Sequence, residues 1–307
     1  MVCIQNQQPW TLNADKMKKL RVAILGSGNI GTDLLIKIQR SEYLECVLFI
    51  GRNLSSPGMA KAIALGVKVS DESIQAIQKD PDAIDLVFDA TSAKDAIFHW
   101  SVLEKLGKIV VDMTPAKLGA LCIPAVNLNE AIQQRNVNMI TCGGQASIPL
   151  AYVIGQTQKE VNYIEVVSSI SSRSAGPATR LNLDEYVDTT EMGLKVFSKA
   201  KRTKAILNLN PADPCIDMQT TIFAQVENPD MELLIREIDV MIDKINQYVP
   251  GYSLLVSPIY ENGRIVIMVK AQGLGDYLPK YAGNLDIINC AAIAVAEQYS
   301  IEHNKIN

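Results

Sequence analysis

At 307 residues and 48% apolar content, the chain is long enough to bury two hydrophobic cores. Its net charge of −4 includes no basic cluster, which argues against nucleic acid and anionic membrane as standing partners, and no apolar run approaches the about 20 residues a membrane span needs. Six scattered cysteines without a CxxC pair, and only His99 and His303 as histidines, offer no metal spacing; the polar segment Met1 to Lys18 lacks an export core, so the cysteines read as reduced thiols of a cytoplasmic protein.

Leu20 to Leu25 is a compact β-forming run, and Thr32 to Ile38 carries a helical pattern. Between them stands Gly26-Ser27-Gly28-Asn29-Ile30-Gly31, the strand–turn–helix setting of a dinucleotide fingerprint. Gly26 makes the tight turn, Gly28 admits a pyrophosphate onto the helix N-terminus, and Gly31 lets helix and strand pack closely. Ser27, Gly28, Asn29 and Ile30 are thus candidate cofactor contacts; the plainer alternative is a structural glycine turn. The next strand, Leu44 to Ile50, ends in Gly51-Arg52-Asn53 rather than in the acidic residue that binds the ribose of NAD. Arg52 suits either the 2′-phosphate of NADP or a solvated loop that stacks on adenine.

A Ser55 to Gly58 turn precedes a helix-like Met59 to Leu65. Asp85 to Ser92 is a strand running into a small-residue loop, Lys94 to Leu106 has helical spacing, and Lys108 to Met113 is a buried strand. This alternation predicts an α/β fold with a Rossmann-type doubly wound parallel sheet. Val137 to Thr141 closes that half, and Cys142-Gly143-Gly144-Gln145-Ala146 follows at the expected start of a helix. A thiol there meets unpaired N–H groups and the positive end of the helix dipole, which favour the thiolate. The glycines allow close approach of a reacting group. The bland alternative is a buried structural cysteine at a strand end.

Beyond Cys142 the pattern changes. Tyr163 to Ile170, Met218 to Ala224, Leu254 to Ile259 and Arg264 to Val269 alternate like strands, the last two joined by a Glu261-Asn262-Gly263 hairpin turn. Leu183 to Ala200 and Met231 to Tyr248 read as helices, which predicts a second α+β domain, mostly antiparallel, serving substrate and oligomerisation. A final apolar helix, Asn284 to Tyr299, is expected to return to the first sheet. The division expected is 1–141 plus 283–307 for the dinucleotide and 142–282 for catalysis and dimerisation.

The ordered motifs Gly26-Ser27-Gly28-Asn29-Ile30-Gly31-Thr32-Asp33-Leu34, Phe88-Asp89-Ala90-Thr91-Ser92-Ala93, Asn138 to Ala146, Ser169 to Pro177 and Tyr281-Ala282-Gly283-Asn284-Leu285-Asp286-Ile287 run from residue 20 to about 300. With them the chain resembles the acylating, CoA-dependent acetaldehyde dehydrogenases of aromatic meta-cleavage pathways. The resemblance implies Cys142 as the acyl-thioester nucleophile, NAD as cofactor (NADP being the other possibility that Arg52 leaves open) and coenzyme A as co-substrate. It implies cofactor contacts from Ser174, Ala175, Gly176, Pro177, Ala178, Thr179, Arg180, Leu181 and Asn182, and a nicotinamide contact from Asn284. Without the resemblance Gly176-Pro177 is equally a surface turn and Asn284 a helix cap. The implied assembly is a homodimer joined to a 4-hydroxy-2-oxovalerate aldolase that hands over acetaldehyde or propionaldehyde.

Two departures stand out. Where the family has an aspartate after a Met-Arg pair, as a candidate base for the thiol, this chain has Thr220 after Met218-Gln219, with Asp213 and Asp217 just upstream. Either the helix dipole activates the thiol or a shifted carboxylate replaces the base. The stretch from Leu254 to Gln272 is also shorter than the family's.

The chemistry expected is attack of the Cys142 thiolate on an aldehyde, with N–H groups near Gly143 and Gly144 holding the oxyanion, hydride transfer, and attack of coenzyme A on the thioester. The alternatives are a phosphorylating semialdehyde or glyceraldehyde-phosphate-type dehydrogenase, which activates its thiol with a histidine, and a nucleotide-binding redox sensor. His99 in a helix of the first half and His303 in the tail are both expected to stand away from Cys142.

Overall fold

The computed structural model describes residues 18–306; the N-terminal segment read above as lacking an export core lies outside them up to residue 17. The first half alternates β1 (Leu20–Leu25), α1 (Asn29–Ile38), β2 (Leu44–Ile50), α2 (Pro57–Ala64), β3 (Val69–Ser70), α3 (Gln75–Lys79), β4 (Leu86–Asp89), α4 (Ala93–Leu103), β5 (Ile109–Asp112), β6 (Ala120–Leu121), α5 (Pro124–Ala131) and β7 (Asn136–Asn138). These strands form one parallel sheet in the order β3-β2-β1-β4-β5-β7-β6. The chain reverses its direction of travel between β1 and β4, so a crevice opens at their carboxyl ends, where open α/β sheets bind ligands. The fully buried side chains of Val22, Ile24, Phe49 and Phe88 make its core.

Helix starts follow local chemistry. Ser56 accepts from the amide of Met59 with Pro57 in the first turn of α2, and Ser92 accepts from Asp95 at the start of α4. Helix α1 begins three residues earlier than its apolar pattern predicts, because Asn29, Ile30 and Gly31 of the glycine loop already form its first turn.

The second half contains α6 (Cys142–Thr157), β8 (Tyr163–Ser171), α7 (Pro177–Leu181), α8 (Leu183–Ser198), β9 (Arg202–Asn210), β10 (Met218–Gln225), α9 (Met231–Asn246), β11 (Tyr252–Glu261), β12 (Arg264–Ala271) and α10 (Gly283–Ile306). Its sheet has the order β11-β12-β10-β8-β9. The hairpin turn is as expected, with Asn262 at φ 52° and Gly263 at φ 76°.

The sheet is mixed: β8 and β9 run parallel, Tyr163 opposite Arg202 through Ser171 opposite Asn210, while the other pairs are antiparallel. Strand β9 escaped the sequence reading because its edge position leaves Arg202, Lys204 and Asn208 in water and blurs the alternation. Parallel pairing demands a long crossover, and α7 and α8 supply it. On β8, β10 and β12 one face buries Ile164, Val166, Ile222, Ile267 and Val269 beneath the helices. Helix α10 does return to the first sheet: Asn289 donates to the carbonyl of Ile30 at 3.2 Å and Ser300 to that of Tyr43 at 3.0 Å.

Candidate active site

The turn between β7 and α6 is held by Asn138. Its side chain accepts from the amide of Ile140 at 2.9 Å and donates to Asp112 at 2.9 Å and to the carbonyl of Thr114 at 2.8 Å. Ile140 takes φ 63°, a left-handed conformation that costs a β-branched residue about 1–3 kcal/mol. Packing enforces it: Ile140 is buried, and its Cγ2 fills space that a Cβ on Gly144 or Gly193 would occupy. Thr141 then caps α6 by accepting from the amide of Gly144 at 2.8 Å, while its hydroxyl also bonds Thr190 at 2.7 Å. Cys142 is therefore the first residue of α6, as the sequence predicts.

Cys142 is only 8% exposed, and its sulfur lies 3.6 Å from the hydroxyl of Tyr186 on α8. The same hydroxyl accepts from the amide of Gly143 at 2.9 Å. Sequence reasoning missed Tyr186; its only signal was a tyrosine within an amphipathic helix, which reads as core.

Three expectations change here. The glycines do not leave room for a ligand: a Cβ on Gly143 would strike Tyr186 Oη and Ser168 Oγ, and one on Gly144 would strike Ile140. The two amides expected to hold an oxyanion are already engaged, Gly143 with Tyr186 and Gly144 with Thr141. Finally, burial pushes the Cys142 thiol above its ordinary range, outweighing Tyr186 and the amides of Gly143 and Cys142, which pull it down. A helix start alone does not make a resting thiolate when the sulfur is dry.

Thr220 lies on the buried face of β10, bonded through Oγ1 to Ser168 Oγ at 2.9 Å. A shifted carboxylate does not replace the family's aspartate. Asp213 is exposed beside Arg173, and Asp217 bonds Gln272 at 3.2 Å with Lys270 at 4.0 Å. Nor does a histidine. His99 Nδ1 is 2.7 Å from Asp89 Oδ2, and His303 acts on Asp85, which precedes β4 at the amino ends of the strands, whereas Cys142 follows the carboxyl end of β7. Asp89, Asp112 and Asn138 form a polar row at the carboxyl ends of adjacent strands. Their only trace in the sequence is a polar residue closing each apolar run.

The glycine loop has the geometry its motif requires. Gly26 adopts φ 112°, and a Cβ on Gly31 would collide with the carbonyl of Gly26. Gly28 faces open space, and no side chain caps α1, so the first amides of that helix are free to meet an anion.

Distant segments converge on this loop. A Cβ on Gly176 would stand 3.6 Å from Asn29 Nδ2, and Asn182 accepts from the amide of Ala93 at 3.4 Å. Ser174 and Ala175 are buried, Pro177 to Leu181 form α7, and Arg180 folds back onto the carbonyls of Ala175 and Ser172. Leu181 is 82% exposed. Asn284 is the second residue of α10 and so does not cap it. It is 4% exposed, and its Oδ1 has no hydrogen-bond partner among the described residues. Arg52 stands exposed beyond β2, in no ion pair among those residues.

Comparison with known proteins decides the family. The chain is 61% identical over 283 residues to an acetaldehyde dehydrogenase of Spirochaeta aurantia, covering 92% of this chain and 95% of that one. It is 59% identical over 285 residues to one of Pectobacterium atrosepticum, covering 92% and 96%. The chain belongs to the acetaldehyde dehydrogenase family. Residues 142–279 match the family described as prokaryotic acetaldehyde dehydrogenase, dimerisation. This family membership makes the protein an aldehyde-oxidising enzyme. The fold is shared more widely. An aspartate semialdehyde dehydrogenase of Candida albicans, solved with NADP, superposes with a TM-score of 0.65 at 11% identity, covering 94% of this chain and 100% of that one. One of Vibrio cholerae gives 0.60 at 13%, covering 94% and 99%.

Proposed function

We propose that the protein oxidises acetaldehyde or propionaldehyde with NAD and coenzyme A to acyl-CoA and NADH, through a thioester on Cys142. The observation that carries this reading is the setting of Cys142: a thiol on the first turn of α6, against a tyrosine hydroxyl, in a family of aldehyde dehydrogenases. The crevice fits a nicotinamide dinucleotide. Gly28 leaves open space, the first turn of α1 offers uncapped amides, and Asn284 presents a buried carbonyl oxygen that lacks a partner, suited to a carboxamide N–H. In this reading Ser27 to Ile30 hold the pyrophosphate, Ser174 to Asn182 wall the site, and Asn284 orients the nicotinamide. When bound, that cofactor supplies the hydride acceptor.

Cys142 acts as the nucleophile. Its sulfur bonds the carbonyl carbon while the π pair moves onto oxygen. Loss of hydride from that carbon restores the C=O as a thioester, and the coenzyme A thiolate then displaces the Cys142 sulfur. Burial around Cys142 excludes the water that would hydrolyse the thioester. No histidine is placed to activate the thiol for phosphate-dependent chemistry. The assay is NAD reduction by the purified protein with acetaldehyde, comparing coenzyme A with phosphate as acceptor. Turnover with phosphate but not coenzyme A sinks the reading.

The division proposed is 1–141 with 283–307 for the cofactor and 142–282 for catalysis and dimerisation. The second sheet leaves half-covered apolar side chains, Val167, Phe223, Val266 and Met268, on the face away from its helices, a surface suited to a homodimer. A small aldehyde offers few groups to bind, so delivery from a 4-hydroxy-2-oxovalerate aldolase partner, in the cytoplasm, replaces affinity with local concentration. Mixing the two proteins and measuring mass by light scattering tests this; a dehydrogenase that remains a homo-oligomer rules it out.

A further inference from the structure

We propose that Tyr186 is a catalytic residue: its hydroxyl donates a hydrogen bond to the sulfur of Cys142 and so sets the fraction of that thiol present as the reactive thiolate. The geometry is specific. Tyr186 Oη lies 3.6 Å from Sγ and accepts the Gly143 amide at 2.9 Å. With one lone pair engaged by that N–H, the hydroxyl is polarised; the acceptors in its reach are the sulfur and Thr141 Oγ1, and the latter already accepts the Gly144 amide.

The position is built. Gly143 is the residue that makes the approach possible, since any Cβ there would displace the hydroxyl. Helix α8 is fastened alongside by Thr190, whose hydroxyl bonds both Thr141 Oγ1 at 2.7 Å and the carbonyl of Tyr186 at 2.7 Å.

No charged group competes for the role. The side chains that surround the Tyr186–Gly143 contact, Thr141 at the cap of α6, Thr190 on α8, and Ser168 on β8 with its partner Thr220 on β10, are all neutral hydroxyls. The thiol feels burial, Tyr186, and the amides of Gly143 and Cys142, and no carboxylate, ammonium or imidazole. Burial keeps Tyr186 protonated far above neutral pH, so it serves as a donor and not as a base. A thiolate without a cationic partner needs a donor, and in this fold the tyrosine takes the place that a charged residue holds in other thiol enzymes.

The inference rests on Cys142 being the reacting thiol, but its test uses neither aldehyde nor cofactor. The rate of Cys142 alkylation by iodoacetamide, read on its own peptide by mass spectrometry, is followed from pH 6 to 11 in the full-length protein. In Tyr186→Phe the midpoint of the profile rises by about one to two pH units, the loss expected for one hydrogen bond to a charged acceptor. Below both midpoints the rate falls by roughly 10-fold or more. Incorporation of 3,5-difluorotyrosine at position 186 keeps the shape and strengthens the donor, so the midpoint moves down. A purely packing role moves neither. An unchanged or lower midpoint in Tyr186→Phe, or an unchanged or higher one with the fluorinated ring, overturns the proposal. If Cys142→Ala retains aldehyde oxidation while these shifts hold, the thioester reading fails and the tyrosine–thiol bond stands.

Discussion

Lys37 on α1 places its ammonium 2.7 Å from Asp286 on α10, a bond between residues 249 apart in sequence. Asp33 at 3.0 Å and Asp276 at 2.8 Å complete a cage around a side chain that is only 6% exposed. Burial opposes the charge on Lys37, but Asp33, Asp286 and Asp276 outweigh it and hold the ammonium above its usual range. The cage fixes the last helix against the helix that begins at the cofactor loop. Lys37→Met leaves the buried Asp33 and Asp286 without their counter-charge, while Asp276 keeps Arg40, and should lower stability by about 3–5 kcal/mol in urea unfolding at pH 7. The deficit should shrink as pH falls, because burial raises Asp286, which takes up a proton and then no longer needs the ammonium. A loss below about 1 kcal/mol at pH 7 would show the cage to be solvated.

Cys142→Ala should reduce aldehyde oxidation by more than about 100-fold while leaving dinucleotide affinity unchanged, since the thiol lies outside the glycine loop. Cys46 and Cys290 are buried away from that turn, and Cys122 meets it through backbone bonds to Asn138 and Gln145 that a substitution keeps, so replacing each by Ala or Ser should preserve turnover. Steady-state kinetics with a fluorescence titration of the cofactor separates the two effects.

Arg52 stands exposed at the end of β2, where an acidic side chain would reject a 2′-phosphate. The ratio of kcat/KM for NAD over NADP should stay below about 1,000-fold, roughly 4 kcal/mol, and Arg52→Asp should raise it. An unaltered ratio in that variant would mean that Arg52 does not face the ribose.

Asp112 is pushed up to about 7 by its burial and then by the charge of neighbouring Asp89, against the bonds from Thr114 and Asn138. The folded chain therefore holds that proton more tightly than the unfolded chain, whose aspartates titrate near about 4. Stability from this group is complete below pH 4 and is lost as pH rises through 7, by up to about 4 kcal/mol. His99 acts in the same direction: burial lowers it, Asp89 outweighs that, and the stability gained by its charged form disappears above its raised titration point. Urea midpoints should fall between pH 5 and 8.5, and Asp112→Asn should flatten that slope. A steeper slope in the variant would contradict the assignment.

Much of this molecule follows from local rules. The strand, glycine turn and helix at Leu20 to Ile38, the Asn262-Gly263 hairpin and the cysteine at the start of α6 are dictated by φ restrictions, by period and by capping, and these act within a few residues of chain. The tertiary structure decided what surrounds them. Strand β9 acquires its identity from pairing in parallel with β8, a contact that propensity within Arg202 to Asn210 cannot express. Tyr186 meets Cys142 only because α8 crosses over the second sheet, and Gly176 meets Asn29 only because the loop after β8 of the second sheet reaches the loop after β1 of the first. The charge on the thiol follows the same division. The dipole of α6 is a local property, but desolvation depends on every segment that excludes water from the sulfur, and at Cys142 desolvation is the larger effect.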